Sequence, residues 1–124
     1  TITLSSSTKN VIELDGDYVY TLPDGAKITC YYVDEKYITY FEYHGKTVLV
    51  LPDGVDVLNV PTCYRRAHTI VMSSCPENYE YLSCDTLVLS TEDQTALYLM
   101  KQVYPICNRV LLTSQGKITL IEEV

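Results

Sequence analysis

The stretch VLVLPDGVDVLNV, residues 48–60, runs from an apolar segment into a Leu-Pro-Asp-Gly turn that also occurs at residues 22–25. Either the chain repeats a structural unit or a favourable turn is used twice. Pro presets φ at the second position of a reverse turn and Gly accepts a positive φ, so the tetrapeptide alone does not decide. Aligning YTLPDGAKIT on LVLPDGVDVL sets Tyr20 on Leu49 and Ile28 on Val57, an offset of 29 residues. The apolar segment before the second turn is more informative, because it recurs. TVLVLP (47–52), HTIVMSS (68–74), DTLVLST (85–91) and NRVLLTS (108–114) each carry a short apolar centre between polar ends. Superposing Leu49, Ile70, Leu87 and Val110 gives spacings of 21, 17 and 23 residues. Such spacings are too long for hairpins and match one coil of a solenoid.

Working outward toward the N-terminus, strand signals dominate. TITL and VIEL flank the polar SSSTKN. Asp15-Gly16 between apolar residues is a type I′ hairpin signal, since such turns demand a positive φ. KITCYYV and YITYFEY are rich in β-branched and aromatic residues, and His44-Gly45 marks another tight turn. Residues 1–46 are therefore expected to form short antiparallel strands.

Toward the C-terminus, TEDQTALYLMKQVYP opens with Thr91 and has Gln94 three residues later, a capping box. Ala96, Met100 and Val103, with Leu97 and Tyr104, make an amphipathic helical face, and Pro105 ends it. The pattern predicts a helix over about 92–104. RVLLTSQGKITLIEE reverses at Gln115-Gly116, a hairpin that closes a sheet edge.

Residues 47–124 resemble the leucine-rich repeat superfamily, in its BspA-like branch. LVLPDGVDVL resembles that branch's strand with a Leu-Pro ending and its apolar return. YLSCDTLVLS and YPICNRVLLT resemble its cysteine-then-strand element, through Cys84 and Cys107. Cys63 departs from the pattern, with YRRAH before the strand, and an asparagine ladder is absent. The resemblance implies a curved sheet with one strand per coil and a role in protein–protein recognition. It implies an extracellular or cell-surface setting and brings no catalytic residues. The expected fold is a single domain, mostly β with one helix: an antiparallel part (1–46) leading into a short, irregular leucine-rich-repeat-like solenoid (47–124). The alternative is a compact antiparallel β-sandwich with one helix.

Composition narrows the function classes. The 124 residues carry 16 Asp and Glu against nine Lys and Arg, a net charge of −7. That balance argues against nucleic acid as a partner, which needs clustered cations. No apolar run reaches the length of a membrane span, so insertion is not expected. The sequence opens on Thr1, as a processed or trimmed product does. Five cysteines without a CxxC pair, and histidines only at 44 and 68, point away from structural zinc. The thiols are read as small buried hydrophobes, with one or two disulfides as the alternative. Walker, dinucleotide, GxSxG and HExxH motifs are absent, as is a calcium loop. No cofactor, metal or catalytic residue is expected. Cys63 and His68 are the nearest thiol–imidazole pair and match no family signature.

The compositional signal is aromatic: 12 tyrosines, one Phe and no Trp, with seven tyrosines between positions 18 and 43. Tyrosine offers contact area, a polar tip and little side-chain entropy. It is also a good strand former, so a core-rim role competes. The expected function is non-catalytic recognition of another protein through Tyr37, Tyr40 and Tyr43, with Thr69, Met72, Thr86 and Ser90 from later strands. The alternatives are an acidic inhibitor that blocks a partner's basic nucleic-acid-binding groove, and a structural or assembly component. A cysteine-dependent enzyme is the rival from a different class.

Overall fold

The structure, a computed structural model, describes residues 11–14, 17–90, 106–114 and 117–123. Nine strands form one sheet in chain order. They are β1 (Val11–Leu14), β2 (Asp17–Thr21), β3 (Lys27–Val33), β4 (Lys36–Tyr43), β5 (Lys46–Leu51), β6 (Arg66–Met72), β7 (Ser83–Ser90), β8 (Arg109–Ser114) and β9 (Lys117–Glu123). The protein is mostly β, and among the described residues helical geometry is confined to three 3-10 turns. The helix expected over 92–104 lies outside the described residues, as do TITL and the turn residues Asp15-Gly16 and Gln115-Gly116.

The pairing changes hand along the sheet. From β1 to β5 every neighbour is antiparallel. From β5 to β8 every neighbour is parallel. β8 and β9 return to an antiparallel pair. One open sheet with three parallel pairings replaces the antiparallel sandwich held as the alternative. The reason lies in the connections. Two-residue links force antiparallel neighbours, whereas parallel ones require a long crossover. His44 and Gly45 adopt φ of 49° and 75°, the type I′ turn expected between β4 and β5. Asp34 and Glu35 make the same turn at 52° and 64° between β3 and β4, without a glycine.

The two Leu-Pro-Asp-Gly copies are one local device in two topologies. The first turns β2 into β3, with the Gly25 amide donating to the Leu22 carbonyl at 2.9 Å and Gly25 at φ 92°. The second leaves β5 on a crossover to the parallel β6. The alignment that sets Ile28 on Val57 thus equates a strand residue with one in a 3-10 turn. The tetrapeptide is reused; the unit around it is not.

The apolar centres, by contrast, coincide in space. Leu49 pairs with Ile70, Ile70 with Leu87 and Leu87 with Val110. All four are buried on one face of the sheet, joined by Leu51, Met72 and Leu89 in the next row and by Ile38 on β4. The crossovers cover this face. Residues 52–65 hold two 3-10 turns (Val57–Asn59 and Thr62–Tyr64) and supply Val55, Val57 and Val60; residues 73–82 hold the third (Tyr79–Tyr81) and supply Leu82. The Asp56 carboxylate caps the first turn by accepting from the Leu58 amide at 3.0 Å. The core is therefore a sheet roofed by its own crossovers.

One irregularity is shared by β6 and β7. Ala67 and Cys84 are buried although each lies three residues before a buried Ile70 or Leu87. Strict alternation would put them on opposite faces. The alternation slips at His68 and Asp85, which are both exposed. Cys107 stands three residues before Val110 and packs against the same core. Ala67 therefore fills the place that the cysteine pattern left empty at Cys63.

Candidate interaction surface

The opposite face of the sheet, uncovered among the described residues, is built by the residues that alternate with the core. Register places Phe41, Val48, Thr69, Thr86 and Arg109 in one row, and Thr39, Val50, Val71, Val88 and Leu111 in the next. Val48, Val50, Thr69, Val71, Thr86, Val88 and Leu111 are partly exposed, Phe41 and Arg109 are exposed, and Thr39 is buried. No acidic side chain occurs in these two rows. The segments TVLVL, TIVM and TLVL show why: apolar residues occupy both parities, as in strands whose two faces are both shielded from water.

Tyrosines border this face. Tyr18, Tyr20, Tyr32 and Tyr37 form a ring cluster, with centroid distances of 6.2 Å for Tyr18–Tyr20, 5.9 Å for Tyr18–Tyr37 and 4.9 Å for Tyr32–Tyr37. Tyr20 is buried there, whereas Tyr32 stays 47% exposed. Tyr43 is exposed at the end of β4, edge-on to His44 at 4.0 Å.

Of the seven residues expected to contact a partner, the structure places Tyr37, Tyr43, Thr69, Thr86 and Ser90 on the uncovered face and its margins. Thr69 and Thr86 are direct register partners. Tyr40 and Met72 are in the core instead. Each lies three residues from another expected member, Tyr37 and Thr69 respectively, and residues three apart on a strand point to opposite faces. Tyr40 packs against Tyr64, ring centroids 5.0 Å apart, and its hydroxyl donates to the Arg66 carbonyl at 3.3 Å. The valines of this face are not among the residues expected from the sequence. Their signal was the lack of alternation in the apolar segments.

Polar groups tie the ends of the sheet. At one end, Asp34 accepts from the Asp56 amide at 3.0 Å and from the Asn59 side chain at 2.9 Å, while Asp56 accepts from Asn78 Nδ2 at 2.8 Å. Asp53 accepts from the Ser73 hydroxyl and from Ser74 Oγ at 2.8 Å. These serine bonds hold the Asp53 carboxyl below the usual carboxylate range. Bonds from Asn78 and the Leu58 amide do the same for Asp56. A folded pKa below the unfolded one means that the folded state binds fewer protons, so the stabilisation is present at neutral pH. It is lost as pH falls below about 4, through the folded values. Replacing Asp53 with Asn is expected to shrink the difference between the urea midpoints at pH 7 and pH 3. An unchanged difference would remove Asp53 from the acid response.

At the other end of the parallel strands runs a lateral polar column. His68 Nδ1 accepts from the Thr47 amide at 3.2 Å while the His68 amide donates to Thr47 Oγ1 at 3.0 Å. Asn108 Nδ2 donates to Asp85 Oδ1 at 2.9 Å. Burial pushes Cys30 up, and burial with the Glu80 charge does the same for Cys75. No group of His, Cys, Asp and Glu suited to a metal ion occurs among the described residues. No family model, curated protein or solved structure matches the chain.

Proposed function

We propose that the chain is a non-catalytic protein-recognition module that presents the uncovered face of its sheet on a leucine-rich-repeat-like scaffold. The observation that carries the reading is the row Val50, Val71, Val88 and Leu111, apolar and partly exposed across four parallel strands. Apolar area left in water forgoes about 25 cal/mol for each Å² that a partner would cover. Patches of this kind mark interaction sites on folded proteins. Tyr32, Phe41 and Tyr43 supply the rigid aromatic margin that recognition surfaces favour.

The scaffold reading rests on three features: one parallel strand per coil, the two described crossovers on one side, and a small residue, Ala67, Cys84 or Cys107, packed at the core before each of the last three core positions. The mixed column of Thr47, His68, Asp85 and Asn108 takes the place of an asparagine ladder. The acidic-inhibitor alternative gains no support from Asp34, Asp53 and Asp56, whose carboxylates are engaged within the molecule.

The test is a triple replacement, Val50→Thr, Val71→Thr and Val88→Thr, which keeps shape and strand preference while making the face polar. Partner affinity is expected to fall about tenfold or more, equivalent to about 1.4 kcal/mol. Capture that is unaffected by the triple replacement but lost when the exposed Glu35, Glu77 and Glu80 become Gln would overturn the reading in favour of the acidic one. Binding that weakens steeply with salt would point the same way.

A further inference from the structure

We propose that Cys84 and Cys107 form a disulfide-forming pair, oxidised by a low-molecular-weight disulfide such as oxidised glutathione, that links β7 to the start of β8. Register carries the argument. Thr86 pairs with Arg109 at the start of the β7–β8 ladder. The Cys84 amide donates to the Ile106 carbonyl and the Asn108 amide to the Asp85 carbonyl, both at 3.0 Å. These two bonds carry the segments side by side past the end of that ladder and bring residues 84 and 107 next to each other. Paired strands lie about 4.8 Å apart. That spacing falls inside the roughly 4.4–6.8 Å between Cα atoms that a disulfide bridges.

The side chains share a direction as well as a register. Cys84 belongs to the core and Cys107 packs against it, in the column that Ala67 continues on β6. No larger residue of the column separates the sulfurs, and both cysteines are in the thiol form. They are hydrogen-bonded to each other, and that bond, with burial, pushes the Cys84 thiol far above the ordinary range. Cys84 is buried whereas Cys107 is only half-buried, so Cys107 is the sulfur more open to reaction. Cys84 also lines an open notch of about 370 Å³ with Thr47, Ala67, His68 and Asp85, which gives a small reagent an approach.

The chemistry is two exchanges. The Cys107 thiolate attacks one sulfur of the oxidised glutathione, its S–S bond breaks, and one glutathione leaves with the proton that Cys107 gave up. Cys84 then attacks the Cys107 sulfur of the mixed disulfide and expels the second glutathione, which takes the Cys84 proton. The two protein thiols are oxidised and one glutathione disulfide is reduced to two thiols.

The experiment treats the native protein with oxidised glutathione, quenches in acid, unfolds, alkylates and maps the peptides. The expected result is a peptide pair linked through Cys84 and Cys107, two sites lost to alkylation, and full recovery after reduction. Cys84→Ser is expected to accumulate glutathione on Cys107, and Cys107→Ser to leave Cys84 alkylated. Oxidation confined to Cys63 or Cys75, with Cys84 and Cys107 still fully alkylated, would overturn the proposal. So would a link from either one to a different cysteine. The wild-type map is decisive even if a serine variant folds poorly.

Discussion

Ile70→Ala is expected to lower the unfolding free energy by about 3–4 kcal/mol. Ile70 is fully buried at the middle of β6, between Leu49 on β5 and Leu87 on β7. Its neighbours belong to rigid parallel strands, so the space it vacates cannot close by side-chain motion alone, and lost contacts add to lost transfer energy. A domain of this size holds about 5–15 kcal/mol in total. The variant should therefore unfold at a much lower urea concentration, with an unchanged slope. Val71→Ala, one residue along but on the opposite face, is expected to cost about 1 kcal/mol or less, because that side chain is already partly in water. Equal losses from the two variants would mean that both faces are covered in solution.

The tyrosines divide in the same way. Tyr40→Ala should cost about 3–4 kcal/mol, since the ring fills core space against Tyr64 and its hydroxyl satisfies the Arg66 carbonyl. Tyr40→Phe removes only that hydroxyl and is expected to cost about 1 kcal/mol. Tyr43→Ala, at 45% exposure, should stay within about 0.5 kcal/mol. Denaturant titration of the three variants separates a structural tyrosine from one available for contact. A neutral Tyr40→Ala would place Tyr40 back among the surface residues.

The same division explains what could be read in advance. β3 and β4 were legible because β-branched and aromatic residues crowd KITCYYV and YITYFEY. The turn at His44-Gly45 was legible because glycine advertises a positive φ. Asp34-Glu35 carries no such mark; its left-handed geometry is supported by bonds from Asp56 and Asn59, more than twenty residues away. The equivalence of Leu49, Ile70, Leu87 and Val110 was visible in the polar bounds of each segment. Which side of each strand would be roofed was not visible. In TVLVL and TLVL both parities are apolar, so the crossovers choose the core, and only they distinguish Met72 from Val71 or Tyr40 from Phe41. Ala67 shows a further limit: the position requires a small residue, and a search for cysteine settles on Cys63 instead.

Strand order has a consequence for how the chain acquires this shape. Each strand pairs only with the one before and the one after it, and no later strand is inserted between two earlier ones. The most distant parallel partners, Leu87 and Val110, are 23 residues apart. Loop-closure entropy is therefore met in small instalments, and contact order stays low for a protein so rich in β-structure. Growth can proceed by docking each new strand on the last, as it leaves the ribosome, in the manner of a one-dimensional nearest-neighbour system. Amide hydrogen exchange should then grade outward from β6, slowest at the centre and faster toward β1 and β9.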